Sequence, residues 1–407
     1  MGYEHERGTT MNIAVLCHPS AGGSGVVATE LALAMVGLGH SVHMVATQVP
    51  FRLNAMRLPR LMPETQSSSE LQHGEVYFHQ IENANYPLFE QPLTTLAAVN
   101  TLVEVIEEFE IDLVHAHYAI PHATSALQAR EMLGRTKVVT TLHGTDVTLV
   151  GLEPSFLRTT RYAIEASDAV TAVSSYLAHH TNTVMGAQKD INVVYNWVDV
   201  ERFSPILEAS YRARFALPGE ALIVHTSNFR TVKRPLDVIE TFAGIAAKQP
   251  ARLLMVGDGP ERPRCLALAK QLGISQRVHF IGSLPNVEMI LGVADLFLLP
   301  SSQESFGLVA LEAMSCGVPV ISSDAGGLPE VNVNAETGFT CAVGDTDAMI
   351  AASLEALEPG RHAQMREAAR MRAITHFHQD VILPNYVRVY ENVLKDSRLH
   401  TSKVVAS

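Results

Sequence analysis

The sequence contains a pair of acids, Glu304 and Glu312, eight positions apart in the stretch ESFGLVALEAM. Gly307 lies where a helix is expected to begin, which places Glu304 in a loop and Glu312 two turns further along. A carboxylate accepts hydrogen bonds from vicinal hydroxyls, and the N–H groups of Phe306, Gly307 and Leu308 at a helix start can bind a phosphate. The stretch therefore predicts a site for a ligand with both sugar and phosphate groups. Alone, the pair also fits two acids that stabilise a helix start.

Three cations, Arg230, Lys233 and Arg234, lie in the stretch SNFRTVKRPLDV, directly after an apolar run typical of a strand. The chain is acidic, with a net charge of −12, and cations at a helix start oppose the helix dipole unless an anion is bound there. Guanidinium and ammonium groups also stabilise the charge that develops on a departing nucleoside diphosphate. We therefore expect this run to face the same ligand as the acidic pair.

Three glycines lie in the stretch HPSAGGSGVVATE, residues 18–30, between a first strand and a helix that starts near Val26. Such a turn presents backbone N–H groups to an anion, although glycines also serve tight turns without a ligand. Residues 23–28 fit G-x-G-x-x-A, the fingerprint of nicotinamide-dependent oxidoreductases. That class needs an acid about 20 positions later. No Asp or Glu occurs between Glu30 and Glu64, which counts against a nicotinamide cofactor.

The elements that position these residues follow a βαβ rhythm, which predicts parallel sheets. The rhythm stops at residues 195–205 and then starts again, and 407 residues suffice for two cores. We predict an α/β protein with two Rossmann-like domains, 11–198 and 199–378, and a last helix, 379–397, that returns to the first domain. Residues 53–70 are expected to form a mobile loop. The predicted strands are residues 12–17, 41–47, 112–115, 138–142, 222–226, 252–256, 278–281, 296–299 and 318–322.

Composition excludes several classes of protein. With 47% hydrophobic and 18% charged residues the chain is not predominantly disordered. The negative net charge argues against nucleic acid or anionic membrane as partners, and no apolar run approaches the length of a membrane helix. Four cysteines without C-x-x-C spacing, in a chain without a secretory leader, favour a cytoplasmic protein.

Three further patterns suggest metal or nucleophile chemistry and are better explained otherwise. His115, His117 and His122 are close in sequence, but no Cys or carboxylate stands beside them, so hydrogen bonding is favoured over a metal site. The D-x-D of residues 345–347 precedes a helical stretch, where Asp is a preferred cap. Cys316 is expected to be a small buried residue. We therefore predict no metal.

Taken in order, these motifs resemble the retaining glycosyltransferases of family 4, which have the two-domain GT-B fold. The matching motifs are HGTD at residues 143–146, the basic run after NFR, VGDGPE at residues 256–261 and the E-x7-E pair, and the resemblance covers nearly the whole chain. It implies an active site in the cleft between the two domains. The oligomeric state is left open between a monomer and a homodimer.

Within that family, the segments PSAGGSGVVATEL, VPFRL, HAHYAIPHA and TTLHGTDVTLVG resemble enzymes of bacillithiol biosynthesis. Those enzymes transfer N-acetylglucosamine from UDP-GlcNAc to the hydroxyl of L-malate with retention of configuration, as the first step of that pathway. Three alternatives remain open. They are a related hexosaminyltransferase with an inositol phosphate or a lipid carrier as acceptor, a UDP-sugar epimerase of the same architecture, and a non-catalytic nucleotide-sugar binding protein.

The resemblance also implies a role for each residue of the matched motifs. Glu312 is expected to bind the ribose, Glu304 a hydroxyl of the transferred sugar, and Lys233 with Arg230 the diphosphate, while His143 faces the sugar. Arg161 suits a carboxylate of malate, although it could instead pair with Glu165 one helical turn away. The implied catalytic residues are Lys233, Arg230, Glu304 and His143; the donor-binding residues are Gly23, Phe306, Gly307, Leu308 and Glu312; the acceptor-binding residues are Ser24, Tyr118, Thr145 and Arg161.

Overall fold

The structure is a computed structural model of the chain that describes residues 10–19, 22–50, 53, 60–61, 76–83, 91–206 and 208–404, the side chains of 60–61, 209 and 396–404 excepted. The chain forms two compact units. The first runs to Val194 and includes the chain from Leu383 onward; the second is Tyr195–Ile382. Most of the loop predicted at 53–70 lies outside the described residues.

The first unit contains, within its described residues, a sheet of eight parallel strands in the order β3-β4-β2-β1-β5-β6-β7-β8. Its inner strands are apolar runs buried along their length, as expected for a parallel sheet covered on both faces. The strands are β1 (Asn12–Leu16), β2 (Ser41–Ala46), β3 (Arg60–Leu61), β4 (Val76–Gln80), β5 (Leu113–His117), β6 (Lys137–Leu142), β7 (Ala169–Ala172) and β8 (Ile191–Val193).

Helices of the first unit connect these strands and cover the sheet. Val99, Leu102 and Ile106 of one such helix pack into a core with the sheet residues Ala14 and Val114. The helices are α1 (Gly23–Gly37), α2 (Thr94–Glu108), α3 (Thr124–Leu133), α4 (Thr145–Thr148), α5 (Leu157–Ala166) and α6 (Ser175–His180). The first helix starts three residues before the predicted position near Val26, so the glycine turn contributes its own first turn.

The second unit has six parallel strands among its described residues, in the order β11-β10-β9-β12-β13-β14. They are β9 (Ala221–Thr226), β10 (Ala251–Val256), β11 (Val278–Gly282), β12 (Leu296–Leu299), β13 (Val320–Ser323) and β14 (Gly338–Cys341). The helices are α7 (Ala209–Arg212), α8 (Pro235–Ala246), α9 (Arg262–Gln271), α10 (Glu288–Leu291), α11 (Leu308–Ser315), α12 (Leu328–Val331), α13 (Thr346–Ala356), α14 (Pro359–Phe377) and α15 (Gln379–Val404).

Each sheet has a point where the strand order reverses. In the first unit β1 lies between β2 and β5, and in the second β9 lies between β10 and β12. The connections on the two sides of such a strand leave in opposite directions and open a crevice at the carboxyl ends, where open α/β sheets bind ligands. The predicted class of two parallel-sheet α/β domains is confirmed. No helix in the described part of the chain has the length and apolar character to cross a bilayer.

Candidate active site

The loops after β9 and β12 bring a cation and an acid together in the second unit. Lys233 ends a short 3₁₀ turn after β9, and Glu304 lies in the loop after β12. The Lys233 Nζ is 2.6 Å from Glu304 Oε2, and the two side chains are 24% and 15% exposed. Because β9 and β12 are neighbours at the reversal point, residues 71 positions apart form one ion pair.

Glycines allow the loops around this pair to pack backbone against backbone. A Cβ on Gly326, whose φ is +61°, would lie 1.9 Å from the carbonyl oxygen of Glu304. The N–H of Gly327 donates to that same oxygen at 2.9 Å. On the other side of β9, a Cβ on Gly257 would lie 1.9 Å from the carbonyl oxygen of Ser227. The loop that carries Glu304 is therefore held in place by a loop that tolerates only glycine.

The three cations of the basic run have different surroundings. Lys233 pairs with Glu304, and Arg234 pairs with Asp237 at 2.7 Å. Arg230 is exposed and immediately precedes the turn that ends at Lys233. Arg230 and Lys233 are thus the cations of this run whose position suits a bound anion.

Helix α11 begins directly after Gly307, which has a left-handed φ of +99°. Its first N–H groups lack partners within the helix, as at any helix start. Phe306 is buried, with Tyr195 and Phe377 at ring distances of 5.9 Å and 5.7 Å. The placement of Glu304 in the loop, with the partly buried Glu312 inside the helix, is as predicted.

In the first unit, Tyr118 collects three of the predicted acceptor-side residues at the ends of β1, β5 and β6. Its hydroxyl is within hydrogen-bonding reach of the side chains of Ser24, in the first turn of α1, and Thr145, in the first turn of α4. Burial raises the pKa of Tyr118 above its ordinary value of 10.0, so the group remains a hydroxyl at neutral pH. Its ring lies 5.3 Å from that of His18, the residue that follows β1 by two positions. Gly23 is the exposed first residue of α1.

His143 follows β6 and contacts a second histidine from β5. Its Nε2 lies 2.9 Å from Nδ1 of His117. Burial lowers the pKa of His143 to about 3, and it lowers that of His117 well below the ordinary 6.5. Both imidazoles are therefore neutral at the pH of a cell interior.

Asp146 is a site residue that the sequence reasoning missed, since HGTD was matched but its last residue was given no role. The Asp146 carboxylate accepts backbone N–H bonds from His143 at 3.2 Å and Gly144 at 2.9 Å, and from Ala119 at 3.0 Å. Its burial raises its pKa from 3.8 to about 6. Asp146 therefore ties the loop after β6 to the loop after β5. An Asp shortly after a strand and before a helix was the available signal.

Arg161 is the predicted acceptor residue that the structure does not bring to Tyr118. It lies on α5 and donates to the carbonyl oxygen of Met185. Glu165, the alternative partner, accepts instead from the backbone N–H of Gln188. The role of Arg161 remains a prediction.

The decoys of the sequence have structural explanations. Asp345 caps α13 by accepting from the N–H of Ala348 at 2.9 Å, which confirms the predicted cap. Cys316 is buried, and burial raises its thiol pKa to about 12. His115 hydrogen-bonds Tyr390 and Thr141, both at 2.6 Å. Among the described residues, no three His, Cys, Asp or Glu side chains are grouped to hold a metal ion.

Comparison with known proteins places the chain in a family. The model of Glycosyltransferase Family 4 matches residues 21–202, and that of Glycosyl transferases group 1 matches residues 209–372. The chain is 40% identical over 391 residues to N-acetyl-alpha-D-glucosaminyl L-malate synthase of Bacillus anthracis, covering 95% of this chain and 98% of that protein. It is 30% identical to a GDP-mannose-dependent phosphatidylinositol monomannoside mannosyltransferase of Corynebacterium glutamicum, over 68% of this chain and 76% of the relative.

Solved structures agree on the fold. A glycosyltransferase from Rickettsia africae superposes with a TM-score of 0.78 at 21% identity, over 95% of this chain and 99% of that one. Anabaena HepE, solved in complex with UDP-glucose, gives 0.75 at 20% identity, over 94% and 100%. With its two parallel-sheet units and these family matches, the chain belongs to glycosyltransferase family 4 and is a glycosyltransferase of the GT-B type.

Proposed function

We propose that this glycosyltransferase transfers N-acetylglucosamine from UDP-GlcNAc to the hydroxyl of L-malate with retention, the first step of bacillithiol biosynthesis. The observation that carries the choice of substrates is the 40% identity to the Bacillus anthracis synthase along nearly the full length of both chains. The contact between Lys233 and Glu304 supports a sugar nucleotide as the donor, because it places a cation and a hydroxyl acceptor at one reversal point.

The second unit supplies the donor residues of this proposal. Before a ligand binds, Lys233 and Glu304 compensate each other's charge. When the donor binds, the Lys233 ammonium and the exposed Arg230 guanidinium bind the diphosphate, and Glu304 accepts from a hydroxyl of the sugar. Glu312 accepts from the ribose, and the N–H groups at the start of α11 add donors to the phosphates. The positive groups stabilise the charge that grows on UDP as it leaves, and the proposal requires no metal.

The first unit supplies the acceptor residues. Malate is a small dianion, so its carboxylates require hydrogen-bond donors or cations. The hydroxyls of Tyr118, Ser24 and Thr145 provide donors at one place, with the backbone of Gly23 at the adjoining helix start. Arg161 is the cation of this set.

His143 contacts the transferred sugar in this proposal, and no carboxylate of the matched motifs is placed as a nucleophile. We therefore propose that the malate hydroxyl attacks an oxocarbenium-like centre from the face that UDP leaves. Retention then arises without a covalent sugar–enzyme intermediate. Trapping of N-acetylglucosamine on any side chain would contradict this route.

The test measures UDP release from UDP-GlcNAc with and without L-malate, with mass spectrometry of the product. We expect release that requires malate, and none with succinate, which has the same charge but lacks the hydroxyl. Release that ignores malate would exclude malate as the acceptor. An inositol phosphate that replaces malate would establish the alternative acceptor, and epimerised UDP-sugar without release would establish an epimerase.

A further inference from the structure

A hydrogen bond between two neutral histidines sets a question about one proton in the first unit. His117 ends β5 and His143 follows the neighbouring strand β6, with 2.9 Å between His117 Nδ1 and His143 Nε2. Because burial keeps both rings uncharged, each carries one ring proton, and only one of the two facing nitrogens can hold it. The protein around the pair must decide which nitrogen donates.

The far side of His117 makes this decision. The ring is fully buried, and none of the residues that the structure describes offers a hydrogen-bond partner to its Nε2. A proton on that atom would be a buried N–H without an acceptor, which proteins avoid more strictly than an unpaired acceptor. The proton of His117 therefore belongs on Nδ1, from which it is donated to His143.

Two further contacts hold the His117 ring where this bond requires it. Nδ1 of His122 contacts the carbonyl oxygen of His117, and since a carbonyl only accepts, His122 donates there. The ring of His115 lies against that of His117, with centroids 4.3 Å apart. His115 is itself hydrogen-bonded through both of its nitrogens, to Tyr390 and to Thr141, so it takes no part in the bond to His143.

We propose that His117 is a positioning residue that holds His143 in the Nδ1–H tautomer. The Nε2 of His143 is then occupied as an acceptor, and the nitrogen left for a bound sugar is a neutral donor. In that state His143 donates to a sugar oxygen and does not act as a base toward the acceptor hydroxyl. This inference deepens the proposed function and rests on the role that it gives to His143.

The direct test is nuclear magnetic resonance of the full chain labelled with ¹⁵N-histidine, with two-bond ¹H–¹⁵N correlations that identify the tautomer of each ring. His143→Gln identifies the signals of His143 by their loss. At pH 7 we expect His143 to be protonated on Nδ1 and His117 on Nδ1. A His143 protonated on Nε2 would overturn the proposal whatever the enzyme's substrates prove to be.

The kinetic test compares His117→Leu with His117→Asn, because the Asn amide nitrogen can take the place of the Nδ1 donor and Leu cannot. We expect His117→Leu to lower kcat roughly tenfold with a smaller change in the KM for UDP-GlcNAc, and His117→Asn to restore most of kcat. Equal kcat values in the two variants would overturn the proposal. Should His117→Leu fail to fold, the tautomer of His143 in His117→Asn decides, and Nδ1–H is expected.

The matched control is His79→Leu. His79 Nε2 lies 2.9 Å from Nδ1 of His43, a contact of the same kind and length in the same unit but outside the proposed site. Its kcat should stay within twofold of the native value. A native protein that turns over no UDP-GlcNAc with any acceptor would refute the proposed function alone, since the tautomers are measured without turnover.

Discussion

Lys233 and Glu304 each hold a full charge in a partly buried position, so each stabilises the other until a ligand takes over. Removing one partner of such a pair leaves the other charge poorly solvated and unpaired. A loss of activity in a variant of either residue therefore needs to be separated from a general loss of stability. The chain contains an ion pair that allows this separation.

We predict that Lys233→Ala lowers kcat/KM by roughly a hundredfold or more, because a positive group at the leaving diphosphate is lost. Arg252→Ala is the matched control. It breaks a pair with Glu220 that has the same 2.6 Å separation and side-chain exposures of 24% and 16%, in the same sheet. Urea unfolding should show similar losses of stability in both variants, and only Lys233→Ala should lose turnover. Equal kcat/KM values would remove Lys233 from the active site.

Sequence reasoning found residues whose partners are close in the chain and missed those whose partners are brought by the sheet. Glu304 and Lys233 were recognised from local spacing. The partners of Asp146 are backbone N–H groups, one of them 27 positions away on Ala119, and no side-chain pattern encodes them. For Arg161 the sequence offered a ligand carboxylate or Glu165, whereas the structure pairs it with a carbonyl of another loop.

Asp146 gives a prediction about pH. Its folded-state pKa, about 6, lies above its ordinary value of 3.8, so the fold favours the protonated acid. The stability it contributes is fully present below about pH 4 and is lost as the pH rises to about 6. The difference in unfolding free energy between the native protein and Asp146→Asn should therefore shrink over that range, by about 3 kcal/mol at most. Urea unfolding at several pH values measures it, and a difference that grows with pH would contradict the raised pKa.

At the scale of elements, the nine predicted strands are confirmed, with ends within two residues of the observed ones. Their continuous apolar runs make them visible, because inner strands of a parallel sheet are buried on both faces. The missed strands lack this signal. β4 reads VYFHQ, β8 is a half-exposed run of three residues, and β14 begins with glycine. The strand order, and with it the meeting of Lys233 with Glu304, depends on pairing that no single run reveals.

The loop after β13 is predicted to control the loop after β12. Gly326→Ala would place a Cβ 1.9 Å from the carbonyl oxygen of Glu304, so the two loops must separate. We expect lower thermal stability and a kcat reduced roughly tenfold or more, since Glu304 moves with its loop. Gly273→Ala is the control, because Gly273 has a similar φ of +70° but open space around its Cβ position. It should show only the strain of about 1 kcal/mol and native kcat.

If Gly326→Ala and Gly273→Ala have the same kcat, the loop contact has no catalytic consequence. If both lose stability equally, the left-handed backbone alone accounts for the effect. Only the combination of a larger stability loss and a lower kcat in Gly326→Ala supports the packing explanation.

At the scale of the whole molecule, the last helix belongs to both units. α15 begins at Gln379 in the second unit, and from Leu383 onward its residues belong to the first. Tyr386 and Tyr390 are fully buried, and the Tyr390 hydroxyl lies 2.6 Å from Nδ1 of His115. The helical periodicity of the sequence showed that this segment has an apolar face. It did not show which core that face completes, because any apolar surface offers a similar free energy of burial.

We predict that a chain ending at Ile382 retains a folded second unit and loses a stable first unit. The helix contributes five buried described side chains from Leu383 to Val393, and burial of each stabilises by about 2 kcal/mol, which together matches the marginal stability of a domain. Limited trypsin digestion should leave the second unit intact and degrade the first. The control chain ends at Lys395, keeps all five side chains, and should resist trypsin as the full chain does. Equal resistance of the two truncated chains would show that the first unit folds without the returning helix.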